Sequence, residues 1–367
     1  MACVAPPRVG ETTRLSPTNV SPLLPKLGTL KRWQLWLGVA ISIFFLWLVL
    51  RDLDFAAFWA QVRAANYWWL LPGVAVYMIA VWVRAWRWHY LLRPLKAIPT
   101  ASMFPIVAIG YMGNNIYPAR AGEVLRAYVL KKKEGVAISA SLATIIVERI
   151  FDGVIMLAFI FVNLGELAHI TAMQADTTNA AISIQLIAFW GSVVFFGAFL
   201  AFLLAAMFPG ASQRALAWLS ARLVPLRFRQ GLLETGGRFL GGLQALRSPL
   251  EILMVFLTSV AIWLLETGKY WFVMQAFDFE VSFFALMLMN GVVNLATTIP
   301  SAPGYVGTFD APGIAVLEAY GIPHALASGY TFVLHFALWL PVTALGAFYL
   351  AREGIQWGKL PKEVKSE

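Results

Sequence analysis

Continuous apolar stretches of about 18 to 28 residues dominate this sequence. A helix of that length, at about 1.5 Å per residue, crosses a hydrocarbon core about 30 Å thick. Of the 367 residues 60% are hydrophobic, and the mean hydropathy is +0.71, which is too apolar for a soluble protein of this size. Alternating strands of about ten residues, typical of outer-membrane barrels, do not occur in the sequence. The predicted fold class is therefore an all-α polytopic integral membrane protein.

The apolar stretches divide into about six full spans and two shorter segments. The full spans are predicted at 33–50, 67–83, 139–162, 180–207, 250–277 and 325–350. The shorter segments, 101–116 and 281–299, end in Asn, Pro and Gly. We therefore expect each of them to turn back as a broken, re-entrant hairpin.

The distribution of basic residues predicts how the chain is oriented. The net charge is +9, and if both hairpins turn back, 24 of the 28 Lys and Arg residues lie on the same side as the two termini. The positive-inside rule then makes both termini cytoplasmic, with polar tails at 1–32 and 351–367, and favours the cell inner membrane. The basic charge indicates contact with anionic lipid headgroups rather than with nucleic acid.

Cysteine and histidine give no sign of a metal centre. Cys3 is the sole cysteine, so neither a disulfide within the chain nor a thiolate cluster can form. The four histidines are scattered and lack the spacing of zinc ligands. We expect no metal and no cofactor.

The two hairpin segments resemble each other in sequence. Residues 118–124 and 300–306 share the pattern Pro-x3-Gly-x-Val, at a shift of 182 residues. The charge distribution gives the two hairpins opposite directions, so the chain is predicted to contain an inverted repeat with halves at about 67–162 and 250–344. The alternative is that Pro and Gly merely terminate hydrophobic helices. The same shift aligns two pairs of charged residues, Arg84 with Glu266 and Arg87 with Lys269.

Several ionisable residues fall within or near the predicted spans, where a charge costs at least about 2.5–3.5 kcal/mol. Glu148, Arg149 and Asp152 lie deep in one span, and the i,i+3 spacing allows Arg149 to pair with Asp152. Whether this group is functional or a structural ion pair stays open. Arg84 and Arg87, near a span end, are expected to extend toward the membrane surface. For Glu266 and Lys269 we expect a mutual salt bridge.

The first hairpin carries the features of a phosphate site. Asn114 and Asn115 can satisfy backbone groups at its tip, and Pro118 suits the first turn of a new helix. A helix start with Arg120 beside it, followed by Arg126, favours a phosphate ligand. Three roles are open for Glu123: capping the helix, pairing with Arg126, or competing with phosphate for Arg120.

The second hairpin has polar character without an arginine. Its candidate ligand-binding residues are Asn290, Asn294, Pro300, Pro303, Gly304, Gly307 and Asp310. The glycines allow a ligand close to the backbone, and Asp310 is expected to cap a short following helix. His335 is interpreted as a satisfied polar contact in its span.

These motifs resemble the flippase-like membrane family, the transmembrane domain attached to lysylphosphatidylglycerol synthases. The resemblance covers most of 33–350 and rests on Arg-x-x-Arg-Trp from residue 84, Asn-Asn-x-x-Pro-x-Arg-x-Gly-Glu-x-x-Arg from 114, Glu-Arg-x-x-Asp from 148 and Pro-x-x-Pro-Gly-x-x-Gly-x-x-Asp from 300. It implies movement of a lipid with a polar or phosphorylated headgroup, such as aminoacyl-phosphatidylglycerol, a polyprenyl-phosphate sugar or a hopanoid-type lipid. The aminoacyltransferase domain of the fused synthases is not in this sequence, so we expect a separate enzyme to make the lipid.

The sequence thus predicts a lipid translocase rather than an enzyme, with 33–350 as its transmembrane domain. No P-loop occurs, so transport is expected to run downhill or to be coupled to an ion. Two alternatives remain: a membrane-embedded lipid-modifying transferase, and a non-transporting factor for envelope assembly. Homo-oligomerisation is possible.

Overall fold

The computed structural model describes residues 32–117, 120–163, 207–223 and 248–353, with a few isolated positions between 193 and 246. Within these residues all regular secondary structure is helical. The first half comprises α1 (Arg32–Leu50), α2 (Phe55–Ala64), α3 (Leu70–Leu92), α4 (Thr100–Ile116), α5 (Ala121–Glu134) and α6 (Ile138–Val162). After α7 (Pro209–Leu223), the second half comprises α8 (Pro249–Met274), α9 (Phe283–Ala296), α10 (Asp310–Ala319) and α11 (His324–Arg352).

In the described part of the chain, three helical segments are long and apolar enough to cross a membrane: Tyr67–Leu92, Pro249–Met274 and His324–Arg352. A fourth crossing is possible if α1 and α2, which meet at an angle of 89°, form one bent span. The helix α6 has 25 residues, but it carries three charged residues at its middle. The predicted span at 180–207, apart from a few isolated positions, and most of both polar tails lie outside the described residues. Six crossings therefore remain a prediction.

The two halves of the chain show the same order of helices. In each, a long helix (α3 or α8) is followed by a hairpin (α4–α5 or α9–α10) and a second long helix (α6 or α11). The helices α3 and α8 pack along each other, while α4 packs against α11 and α9 packs against α6. Each hairpin thus contacts the last helix of the other half. The opposite orientation of the halves across a membrane remains a prediction.

The first hairpin is held by close contact between α4 and α5 at glycines. A Cβ atom on Gly122 would overlap the Gly110 carbonyl oxygen and the backbone nitrogen of Asn114. A Cβ on Gly113 would in turn lie 2.7 Å from the Cα of Gly122. Because neither arm carries a side chain at these positions, the two helix backbones lie against each other.

The second hairpin is joined by an irregular loop that packs on α1. The Ser42 hydroxyl oxygen accepts a hydrogen bond from the Ala302 backbone at 2.9 Å. A Cβ on Gly38 would lie 2.9 Å from the Ser301 carbonyl oxygen, so this contact requires a glycine. These contacts hold the loop between α9 and α10 against α1.

Candidate functional site

Buried ion pairs connect α6 to its neighbours. Glu148 on α6 accepts two hydrogen bonds from the Arg126 guanidinium on α5, at 2.7 and 3.0 Å. The Arg126 guanidinium also lies over the Trp88 ring, 3.6 Å from its centroid. Both partners of the ion pair are buried. Arg126 is therefore occupied by the protein, which corrects its expected role as a phosphate ligand.

A second buried pair joins α3 to α6. Arg87 is fully buried and donates to both oxygens of Asp152, at 2.6 and 3.3 Å. The Trp263 indole donates to the same carboxylate at 3.0 Å, and Arg87 also donates to Ser259 at 2.9 Å. The expectation that Arg87 extends to the membrane surface is wrong, because a carboxylate inside the protein satisfies its charge.

The long helices α3 and α8 share a third charged group. Arg84 contacts Glu266 at 2.5 Å, and Glu266 also pairs with Lys269. All three side chains are buried, so Arg84 too does not extend to the membrane surface. The Lys269 ammonium lies 4.2 Å from the centroid of the Tyr77 ring. Arg84 and Glu266 occupy equivalent positions of the predicted repeat, so their contact falls where the two halves meet.

Glu123 has a partner that the sequence did not suggest. Its carboxylate lies 3.3 Å from the guanidinium of Arg149, which is also 3.4 Å from Asp152. The Arg149 to Asp152 pair is the one that the i,i+3 spacing predicted. Glu123 therefore balances Arg149. Among the described residues its carboxylate forms no salt bridge with Arg120 or Arg126, although its backbone N–H donates to the Arg120 carbonyl oxygen at 3.0 Å.

Arg120 differs from the other cations of this region. It precedes α5, which begins at Ala121, and it has a left-handed backbone with φ 54°. No carboxylate of the described residues lies within 4 Å of its guanidinium, and its buried Nε has no hydrogen-bond partner there. Its guanidinium lies 5.9 Å from the centroid of the Tyr305 ring. The predicted helix start at Pro118 lies outside the described residues, so Arg120 is the cap that the structure shows.

The polar residues of the second hairpin bind each other. Asn290 is fully buried on α9 and donates to the Thr267 hydroxyl at 3.1 Å. Asn294 donates to the Asn290 side chain at 2.7 Å. These bonds attach α9 to α8 and leave Asn294 at the edge of the cavity described below.

The loop before α10 is held by Asp310 and His335. Asp310 is the first residue of α10 and accepts from the Gly307 backbone at 2.8 Å, so it ties the preceding turn rather than capping the helix. The His335 ring contacts Asp310 at 2.8 Å and the Gly304 carbonyl oxygen at 2.7 Å. Gly304, Tyr305 and Gly307 all have positive φ. His335 is the satisfied polar contact that the sequence indicated, and it fixes this strained turn.

Two adjoining cavities lie between the hairpins. The first, about 120 Å³, is lined by residues of α3, α4, α6, α8, α9 and α11, by Arg120 and by the loop between α9 and α10. The second, about 220 Å³, is lined by Asn114, Tyr117 and Arg120 on one side and by residues 297–302 and Tyr305 on the other. Asn114, Arg120, Thr297 and Tyr305 line both. Lining residues with a formal charge are the four cations Arg84, Arg120, Arg149 and Lys269 and the two carboxylates Asp152 and Glu266. The cavities therefore carry an excess of positive charge among the described residues.

The structure brings many of the predicted site residues to these cavities. Those that line them are Arg84, Asn114, Asn115, Arg120, Arg149, Asp152, Glu266, Lys269, Asn294, Pro300 and Gly304. Those that do not are Arg87, Glu123, Arg126, Glu148, Asn290, Pro303, Gly307 and Asp310. Sequence reasoning missed the aromatic residues of the lining, Tyr77, Tyr111, Trp263, Tyr305, Phe309 and Trp339. In a chain with 15 Trp, 11 Tyr and 26 Phe, nothing distinguishes these residues by spacing.

The sequence of the chain matches a known protein family. The family described as "Lysylphosphatidylglycerol synthase TM region" matches residues 35–346 of the chain. No solved structure shows significant similarity to it.

The curated relatives come from archaea. A UPF0104 membrane protein of Methanothermobacter thermautotrophicus is 24% identical, over 81% of this chain and 87% of that protein. A UPF0104 membrane protein of Methanocaldococcus jannaschii is 23% identical, over 69% of this chain and 98% of that protein. Glycosyltransferase AglD of Haloferax volcanii is 26% identical, over 72% of this chain but only 47% of that protein. Together with the apolar helices, these matches support a multi-pass membrane protein.

Proposed function

We propose that this chain, which belongs to the family of the lysylphosphatidylglycerol synthase transmembrane region, is a translocase that moves a lipid with a phosphate-containing headgroup between leaflets. The observation that carries the proposal is that Arg120 lines both cavities between the two hairpins and has no carboxylate partner among the described residues. Each of the other five cations of the region, Arg84, Arg87, Arg126, Arg149 and Lys269, has a carboxylate within 4 Å. An anionic ligand is the natural counter-charge for Arg120.

The local backbone supports phosphate as that ligand. Arg120 immediately precedes α5, and the first amides of a helix have no partner within it and carry the positive end of its dipole. Guanidinium and helix start together offer several donors to one phosphate group. The acyl or prenyl tails would remain in the bilayer, so only the headgroup requires a polar route.

The proposed topology makes this route continuous. The halves form an inverted repeat, the first hairpin enters from the cytoplasm and the second from outside, and both termini are cytoplasmic in the inner membrane. The matching helix order of the two halves and the contact of each hairpin with the other half support this arrangement. The proposed partners are anionic membrane lipids, a separate enzyme that makes the lipid, and further copies of the chain.

A leaflet-exchange assay tests the proposal. The full chain is placed in liposomes with acyl-labelled phosphatidylglycerol, and a membrane-impermeant quencher reports the outer leaflet. Arg120→Gln should slow exchange at least about tenfold, because a hydrogen bond to a charged group contributes about 1.5–3 kcal/mol. Arg63→Gln, an exposed arginine in the last turn of α2, is the matched control and should exchange lipid as the wild type does.

Two outcomes of this assay would contradict the proposal. Exchange by Arg120→Gln at the wild-type rate would contradict the phosphate site at Arg120. Absence of exchange by folded wild-type protein, both of phosphatidylglycerol and of a labelled polyprenyl-phosphate sugar, would contradict the translocase. If the chain is instead a non-transporting factor for envelope assembly, Arg120→Gln should leave its function in cells unchanged.

A second candidate is a membrane-embedded lipid-modifying transferase, which is suggested by the name of one relative, a glycosyltransferase of which 47% is matched. Conversion of a lipid-linked sugar to a new lipid by the purified chain, detected by mass spectrometry, would support this candidate.

A further inference from the structure

The carboxylates that line the cavities are all occupied by cations of the protein. Asp152 accepts from Arg87 at 2.6 Å and from Trp263 at 3.0 Å, and Arg149 lies 3.4 Å away. Glu266 lies between Arg84 and Lys269. No carboxylate in the described lining is left to receive a positively charged group. A cationic headgroup would therefore meet the Arg120 guanidinium without a compensating anion among the described residues.

Four buried side-chain atoms of the lining have no hydrogen-bond partner among the described residues. Two of them, Nη1 of Arg84 and Nε of Arg149, belong to arginines that already pair with carboxylates. The other two, Nε of Arg120, a donor, and Oδ1 of Asn114, an acceptor, belong to residues that line both cavities. Since buried polar atoms are nearly always paired in folded proteins, this combination indicates a ligand with both an anionic oxygen and a hydroxyl donor.

The larger cavity offers further acceptors for hydroxyl groups. Thr297 donates its hydroxyl hydrogen to the Asn294 carbonyl at 2.8 Å, and Thr298 donates to the Leu295 carbonyl at 2.6 Å. Their hydroxyl oxygens therefore remain free to accept from a ligand. Apart from Arg120, no charged residue lines this cavity in the described part of the chain. Its uncharged polar side chains, Asn114, Thr297, Thr298 and Ser301, can bind the hydroxyls of a neutral group beside the apolar Ile299, Pro300 and Ala302.

We propose that the site selects an amine-free anionic headgroup, a phosphate ester that carries a polyol such as glycerol or a sugar, and rejects aminoacylated headgroups. The phosphate lies at Arg120, and the polyol occupies the larger cavity against Asn114, Thr297 and Thr298. This inference rests on the proposed translocase function and narrows its substrate. The proposed substrate therefore differs from lysylphosphatidylglycerol, the lipid after which the family is named.

The test compares four acyl- or prenyl-labelled probes on the wild-type chain in liposomes. Phosphatidylglycerol and a polyprenyl-phosphate hexose carry phosphate with a polyol, phosphatidic acid carries phosphate alone, and lysylphosphatidylglycerol adds an amine. At least one polyol probe should exchange about tenfold or more faster than the lysylated lipid, because like charges brought together oppose binding strongly. The faster of the two polyol probes identifies whether glycerol or sugar is the natural group.

The results separate this inference from the function on which it rests. If lysylphosphatidylglycerol exchanges as fast as the polyol lipids, the proposed rejection of aminoacylated headgroups is wrong, but the translocase function is still supported. Exchange of phosphatidic acid faster than both polyol lipids overturns the polyol subsite. No exchange of any probe overturns the translocase and this inference with it.

Two conservative variants give a second reading. Asn114→Asp adds a carboxylate beside Arg120 and should bring the rates of phosphatidylglycerol and its lysylated form at least about fivefold closer. Thr298→Val removes an exposed acceptor without a change of size and should lower the rate of phosphatidylglycerol relative to phosphatidic acid. An unchanged rate ratio in both variants, each shown to be folded, would contradict the assignment.

Discussion

Arg126 is buried between the Trp88 ring and the Glu148 carboxylate, and it shows what an ionisable residue at this depth requires. Two parallel hydrogen bonds join the guanidinium to the carboxylate, so neither charge stays uncompensated in a medium of low dielectric constant. Arg120, in contrast, has no carboxylate within 4 Å of its guanidinium among the described residues. The same residue type thus has a structural role in one case and a proposed binding role in the other.

Removal of one partner of the buried pair should destabilise the protein. Glu148→Gln leaves the Arg126 charge without a counter-ion and is expected to lower the free energy of unfolding by about 3–5 kcal/mol. The measurement is thermal or denaturant unfolding in detergent, followed by circular dichroism.

The pair Lys133–Glu353 provides the control, since it is partly exposed at its contact of 2.6 Å. Lys133→Gln should change the stability by no more than about 1 kcal/mol. Equal effects of the two substitutions would show that the Arg126–Glu148 pair is not shielded from solvent.

At the scale of elements, small residues decide how closely the hairpin arms approach. Gly110, Gly113 and Gly122 allow α4 and α5 to pack backbone against backbone. This contact positions Arg120, which lies in the turn between the two helices. The packing of the loop between α9 and α10 similarly depends on Gly38 and Ser42 of α1. The position of each polar tip is therefore set by packing several residues away from it.

Gly122→Ala should disrupt the first hairpin. The new methyl group would overlap the Gly110 carbonyl oxygen, which is rigid backbone, so the arms must separate at an expected cost of about 1–3 kcal/mol. We expect a lower unfolding temperature together with slower lipid exchange.

Gly268→Ala is the matched control for this prediction. Gly268 is also helical, but a Cβ there meets only Val76 at 3.8 Å, an ordinary contact. Alanine should be tolerated or slightly stabilising at this position, because it favours helix over glycine by about 0.5–1 kcal/mol. A Gly122→Ala protein as stable as Gly268→Ala would contradict the close packing of α4 and α5.

In the whole molecule, each hairpin packs against the last long helix of the other half, so the cavities lie where the two halves meet. Arg84 and Glu266, equivalent under the shift of 182 residues, contact each other at this junction. In such an arrangement a relative movement of the halves would open the cavities to one side or the other.

The predicted orientation can be tested with single cysteines. On a Cys3→Ser background, Glu280→Cys and Lys132→Cys are placed at exposed positions on the predicted outer and cytoplasmic sides. In intact cells a membrane-impermeant maleimide should label Glu280→Cys, whereas Lys132→Cys should react only after permeabilisation. Labelling of both from one side would contradict the re-entrant hairpins and the inverted repeat.

The sequence by itself determined the class of protein, since apolar stretches of this length can fold stably only as helices in a membrane. It also located most helices. The predicted spans 139–162 and 250–277 fall close to Ile138–Val162 and Pro249–Met274, because hydrophobicity and helix breakers act locally. The polar tips and the arginine beside the helix start were found for the same reason.

Which arginines pair with a carboxylate depends on the tertiary structure. The partners of Arg126 and Arg87, Glu148 and Asp152, are 22 and 65 residues away in sequence, and Glu123 contacts Arg149 rather than a residue of its own helix. Ion pairing depends on which helix faces pack together, and this information is spread over many distant contacts. The distinction between a paired arginine and the unpaired Arg120, on which the proposed function depends, therefore follows from the packing of the two halves.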